Sequence, residues 1–450
     1  MFHSALNIQT AMVIALLCSH PAQAGNGAPP VPSESELYNA DPNHLWNRLH
    51  RALFVRRGAD GTEYGLDQLD PLLWFHTKHL VEGPSHENAI KVLDEFLATH
   101  AERLVQDPLR RAILQRDVWA VFDWTARWSG TDLPGTKALQ DLQLRLAAVI
   151  QRLALTKEQI DALPDNYAAA AKSHGFENSY HDDKPTVPFL PDLFAANDPW
   201  VCVGLGGEDR IAPVHVSRFG GRSAFLVFMR TPGGWQETTH YLEQFREFPQ
   251  PYVYETNRFF TNHINAVHSP NLPQFPAGTI FALVRQMILV DQNGDLRPTH
   301  LTESVQIRRY NDVHPKRGAY GRPPPDSQSM IEFLLSRKQL FAGKAGGLRA
   351  VAPDETEFRQ FMDKGFDPFE ETERKHQPLS SWFHQALDCR ECHAGPGLSS
   401  VSSFLQSFQK PTATLPQLAV VNDQEQRDAA RIWKQSQFNW GLLQGLWERP

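Results

Sequence analysis

Up to about residue 170, apolar residues recur at helical spacing. Beyond residue 185 they run together in short β-branched and aromatic stretches. One pattern cannot serve both structures, because side chains repeat about every 3.6 residues along a helix and every second residue along a strand. The change of period therefore predicts an α+β multidomain chain: an N-terminal α-helical domain, a central β-rich domain and a C-terminal helical segment.

In the first part, Leu139, Leu142, Leu146, Val149 and Leu153 are spaced for one face of a helix over about 136–155. Asp107-Pro108 reads as a helix start, a capping acceptor followed by proline at the first helical position. Thr156 and Gln159 have the capping-box spacing. Asp41-Pro42, with Leu45, Leu49 and Leu53 following, predicts another helix, and Ser85 can cap a fourth. Residues 185–200 hold four prolines and little periodicity, which marks a boundary.

Past it, 212–219 and 222–230 read as strands joined at Gly220-Gly221. Residues 279–290 and 304–310 read as strands joined through Asp291–Asp295, and about 238–248 as one intervening helix. Residues 312–327 are rich in proline and glycine and read as a linker. Helices are expected over 328–341, 354–364, 400–409 and 423–446. The resulting division is 41–184 helical, 185–311 β-rich, 312–376 linker and helices, and 377–450 the tail.

The N-terminus reads as an export signal. Ala11–Cys18 is a short apolar run followed by Ala22-Gln23-Ala24, a small-x-small cleavage pattern, which places cleavage after Ala24. Residues 1–10 lack the usual Lys or Arg. Residues 25–40 read as a flexible lead-in. No later run approaches about 18 apolar residues, so no transmembrane segment is expected in the mature chain. The net charge of −7 offers no basic excess for nucleic acid. The expected compartment is the periplasm or another exported location.

After cleavage only Cys202, Cys389 and Cys392 remain, too few for a disulfide framework. Cys202, in WVCVGL, reads as a buried apolar thiol. Cys389-Arg390-Glu391-Cys392-His393 puts two thiols and an imidazole on one turn. Covalent haem needs two thiols matched to its vinyl groups and an adjacent imidazole for the iron. A zinc site would draw on these residues plus a remote ligand, and no second paired cluster exists. A redox CxxC would be expected in a thioredoxin-like βαβ setting, which is missing here. Haem is the preferred reading, with these two and chance spacing as alternatives.

At this motif the tail resembles c-type cytochromes. The resemblance implies thioethers at Cys389 and Cys392 and a proximal iron ligand at His393. Small members of that group place a distal Met downstream, whereas no Met or His follows His393 in this chain. The distal candidates are therefore Met362, His376, His384 and Met330, or the position is open. The chain is also similar to exported bacterial proteins of unassigned activity with one CxxCH near the C-terminus.

Other patterns are weaker. Asp291, Asn293 and Asp295 alternate like calcium ligands but fit a hairpin turn better. Residues 343–347 (GKAGG) lack a phosphate-loop pattern. His76 and His79 could share a helix face, without a supporting acidic cluster. The expected function is electron transfer in the cell envelope, with a periplasmic redox protein as partner and one haem c as cofactor. The rivals are a haem enzyme with an open sixth position and a binding protein with a structural haem.

Overall fold

The computed structural model describes residues 37–59, 61–67, 69–74, 77–127, 136–195, 199–205, 211–256, 264–314, 324–352, 355, 367–370, 393, 395–401 and 418–448. Cys389, Cys392, Met362, His376, His384 and His76 lie outside them. So do the signal segment, the expected helix over 354–364 and most of that over 400–409.

Helices come first in the chain: α1 Leu45–Phe54, α2 Gly83–Ala98, α3 Pro108–Ala126, α4 Thr136–Leu153, α5 Lys157–Asp161 and α6 Asn166–Lys172. Their starts follow local chemistry. The Asp107 carboxylate accepts from the Leu109 amide with Pro108 behind it, and Thr156 and Gln159 form the reciprocal capping box. A two-stranded ribbon, β1 Arg56–Arg57 and β2 Glu63–Tyr64, sits between α1 and α2.

The sheet follows: β3 Val201–Gly204, helix α7 Pro213–Arg218, β4 Ser223–Arg230, helix α8 Gly234–Glu247, the β5–β6 hairpin (Tyr252–Thr256 and Ile264–His268), β7 Ile280–Val290, β8 Leu296–Tyr310, β9 Gln328–Leu335, helix α9 Arg337–Phe341 and β10 Leu348–Ala350. Three short elements complete the chain before its last helix: α10 Leu398–Val401, β11 Ala419–Val420 and α11 Asp423–Gln435. The last helix is α12 Phe438–Trp447. The main sheet is antiparallel, in the order β10-β9-β8-β7-β4-β3-β11. The protein is thus mixed α and β around one large antiparallel sheet. Among the described residues no helix is long and apolar enough to cross a membrane.

Two sequence expectations fail. Residues 212–219 form α7 rather than a strand. Pro213 sits in the first turn of that helix and fixes a helical φ, which outweighs the β preference of Val214 and Val216. Gly220 and Gly221 (φ 63° and 72°) end the helix instead of turning a hairpin. Residues 328–341 split into β9 and the short α9. A short apolar run fits a doubly covered strand as well as a buried helix, and pairing with β8 and β10 decides it.

Alternate residues serve opposite faces. Leu226, Phe228, Ala282, Val284, Ile307 and Phe333 pack with Ile113, Tyr167 and Leu190 in one cluster. Met229, Phe281 and Tyr310 pack with Tyr241 and Phe245 of α8 in another. Helix α12 packs on α3 and α4, and α11 on β4 and β8. Trp440 meets Trp119, and the Trp447 indole donates to the Ala147 carbonyl at 2.7 Å. The tail aromatics therefore cover the N-terminal helices, and Phe438 stays exposed.

Candidate functional site

Strands β8 and β9 build the floor of the site. Their register sets Arg308 opposite Met330 and Tyr310 opposite Gln328, so these four side chains share one sheet face. Above them α7, α8, the β5–β6 hairpin and α10 enclose a mainly apolar cavity of about 270 Å³. That lies near the lower limit, about 300 Å³, of ordinary ligand pockets. Its lining includes His215, His268, Met330, Arg308, Tyr310 and His393.

His393 enters through a tight local turn. Gly397 has φ 45°, and a Cβ there would lie 2.5 Å from the Gln274 amide. A Cβ on Gly395 would lie 2.8 Å from the backbone of Ser399. Two glycines therefore let α10 fold back onto His393. The Gln274 carbonyl oxygen pins the turn by accepting from the Leu398 amide at 2.9 Å. The Gly395-Pro396-Gly397 segment thus returns the chain over His393.

That return fixes the imidazole. His393 Nδ1 is 2.7 Å from the Ser400 carbonyl, which can only accept, so Nδ1 carries the hydrogen. The neutral ring then has its lone pair on Nε2, the tautomer wanted of a metal ligand held through its other nitrogen. Burial, helped by nearby Arg308, pushes the His393 pKa down to about 4, so the ring is neutral at pH 7. The buried Ser400 hydroxyl donates to the His393 carbonyl at 2.8 Å. Arg308, Tyr310 and Gln328 all reach that hydroxyl, at 3.2–3.3 Å.

His215, on α7, faces the same space. Its ring centre lies 6.2 Å from that of His393, with the planes at 30°. His268 stacks on Tyr252 with centres 5.4 Å apart, and burial lowers its pKa to about 4. Met330 Sδ accepts from Arg308 at 3.7 Å.

Arg308 is buried, and it donates to Gln328, Ser400 and Met330, all neutral. No carboxylate pairs with it among the described residues. A buried cation without a counter-ion is costly, so the arrangement suits an anionic ligand.

No protein family, curated protein or solved structure matches this chain. Among the described residues no group of three or more His, Cys, Asp or Glu side chains is placed to hold a metal ion. A porphyrin iron needs only one or two protein ligands.

Of the sequence-predicted site residues, His393 and Met330 line the cavity. His79 is not in a helix, and burial pushes its pKa down to about 3. Cys202 lies in β3, half-buried, its thiol pushed up to about 12 chiefly by burial. Asp291 makes the β7–β8 turn: its Oδ1 accepts from the amides of Asn293 and Asp295, and its Oδ2 from Arg297.

Sequence reasoning missed His215, His268 and Arg308. Only Arg308 left a signal. In SVQIRRY, Val305 and Ile307 alternate with Gln306 and Arg308, which marks a strand with a polar side.

Proposed function

We propose that this chain is an exported protein carrying one covalent c-type haem that transfers electrons in the cell envelope. The observation that carries the reading is His393. The imidazole that ends CxxCH lines an apolar cavity, with Nδ1 bonded to the Ser400 carbonyl, which fixes the tautomer that carries its lone pair on Nε2. A chance CxxCH carries no requirement for a buried, tautomer-fixed histidine.

The residues at the cavity suit the group. Cys389 and Cys392 would tether it through thioethers, and His393 Nε2 would bind the iron. The Arg308 guanidinium, buried among neutral partners, would meet a carboxylate of the porphyrin edge. Bound there, haem supplies a reversible one-electron couple. The protein's part is to hold and to shield. Ser400 orients the imidazole and keeps it neutral, while Phe281, Leu283 and Val227 keep water from one wall. The export signal at residues 1–24 supports the reading independently, since thioether haem belongs to extracytoplasmic proteins. A periplasmic redox protein would then be the partner.

The test is mass spectrometry of full-length protein made with the haem-attachment machinery. One haem mass on a chain beginning at Gly25 is expected, and Cys389→Ala with Cys392→Ala should abolish haem staining. A colourless wild-type protein, with both thiols free or on zinc, overturns the proposal.

A further inference from the structure

We infer that His215 is the second axial ligand, so that the iron of the proposed haem is closed on both sides by histidine. This rests on the haem reading above and adds the residue that decides between electron carriage and open-site chemistry.

The juxtaposition of two rings carries it. With metal–nitrogen bonds of about 2 Å, two imidazoles facing each other across one iron have ring centres about 6 Å apart. His215 and His393 stand at 6.2 Å. They come from distant parts of the chain, and each is placed by its own local device. Ala212, with φ 52°, and Pro213 start α7, so that His215 falls in its first turn. The Gly395–Gly397 turn and the Ser400 carbonyl set His393. The ring of Phe225 lies 5.7 Å from that of His215 and limits its swing.

His268 stacks on Tyr252 across the β5–β6 register. The Met330 sulfur accepts from Arg308. His215 is the ring that stands at iron-bridging distance from His393. A second histidine also accounts for a tail with no Met or His after the motif, because the ligand arrives from the β-rich part of the chain.

Optical and electron paramagnetic resonance spectra of the full-length holoprotein test this. Wild type is expected to be low-spin when oxidised and not to bind CO when reduced. His215→Ala should lose the low-spin signal, bind CO, and regain the low-spin signal on adding imidazole. His215→Met, a variant that can still ligate, should stay low-spin with a raised midpoint potential. His268→Ala and Met330→Leu should each keep the low-spin signal and still not bind CO, whatever small band shifts they cause. One haem per chain with an unchanged spectrum in both His215 variants overturns the assignment and leaves covalent haem standing. So does a wild-type protein that is high-spin and binds CO. A wild-type protein without haem overturns the underlying reading instead. If His215→Ala fails to fold, by circular dichroism, His215→Met decides: an unshifted potential overturns the assignment.

Discussion

Among the described residues, every buried cation beneath α3 meets a carboxylate, while Arg308 in the cavity meets none. Arg116 lies 2.8 Å from Glu303, Arg222 and Lys434 each 2.8 Å from Asp123, Arg285 2.9 Å from Asp70, and Arg337 2.6 Å from Asp117. Ser223 adds a hydrogen bond to Glu303. Burial pushes the Asp70 and Asp123 carboxyls up, but the surrounding cations outweigh it and hold both below the usual range. Among the described residues Arg308 has the Gln328 amide, the Ser400 hydroxyl and the Met330 thioether, with the Tyr310 hydroxyl beside them. Perturbed titratable groups mark functional sites and structural ion networks alike. Here pairing separates them. The network beneath α3 has each cation matched to a carboxylate, although several of its buried atoms, Arg222 Nε and Asp123 Oδ1 among them, lack a hydrogen-bond partner, whereas Arg308 meets no carboxylate among the described residues.

The largest effect is expected from breaking the network. Asp123→Ala leaves Arg222 and Lys434 buried without their shared partner. A loss of about 3–5 kcal/mol is expected, read as a shift in a urea unfolding midpoint with the slope unchanged. A loss under about 1 kcal/mol would mean the network is wet and adaptable, and the contrast with the cavity would lose its first half.

Lys434 of the network and the histidines of the cavity set stability slopes at opposite ends of the pH scale. Burial lowers the Lys434 pKa to about 8, against about 10.4 in an unfolded chain. Between those values the unfolded state binds more protons, so stability rises with pH there, by on the order of 3 kcal/mol at most. The cavity histidines His268 and His393 sit near about 4, against about 6.5 unfolded. The unfolded state again binds more protons across that window, so their contribution is lost as pH falls from about 6.5 to 4. Melting temperatures at matched ionic strength should show both slopes. Lys434→Met should flatten the alkaline one only, and His268→Gln should reduce the acid one only.

What was legible in the sequence follows the range of the forces involved. Asp107-Pro108, Thr156 with Gln159, and the Asp291–Asp295 turn are set by neighbours, and the structure has each as read. The α7 and β9 misreadings arose where propensity competed with context: Pro213 against valines, and sheet neighbours against an ambiguous apolar run. His393 was legible because its motif is contiguous. His215, Arg308 and Ser400 were not, because sheet register and the two-glycine turn bring them together. No spacing rule in one sequence encodes such a meeting.

The smallest stability effect is the sharpest test of the contrast. Replacing Arg308 with Leu removes a buried cation that has no counter-ion, while Gln328 keeps Gly395 and Ser400, and Ser400 keeps Tyr310 and His393. In protein made without haem attachment, Arg308→Leu is expected to change stability by less than about 1.5 kcal/mol, since a shape-filling apolar substitute relieves desolvation. In the haem-loaded protein the same change should lower the midpoint potential, because a positive charge that favours the reduced state is gone. Calorimetry on the first and redox titration on the second separate the two roles. If Arg308→Leu costs the haem-free chain as much as Asp123→Ala does, Arg308 is structural, and the cavity gives no sign of an anion.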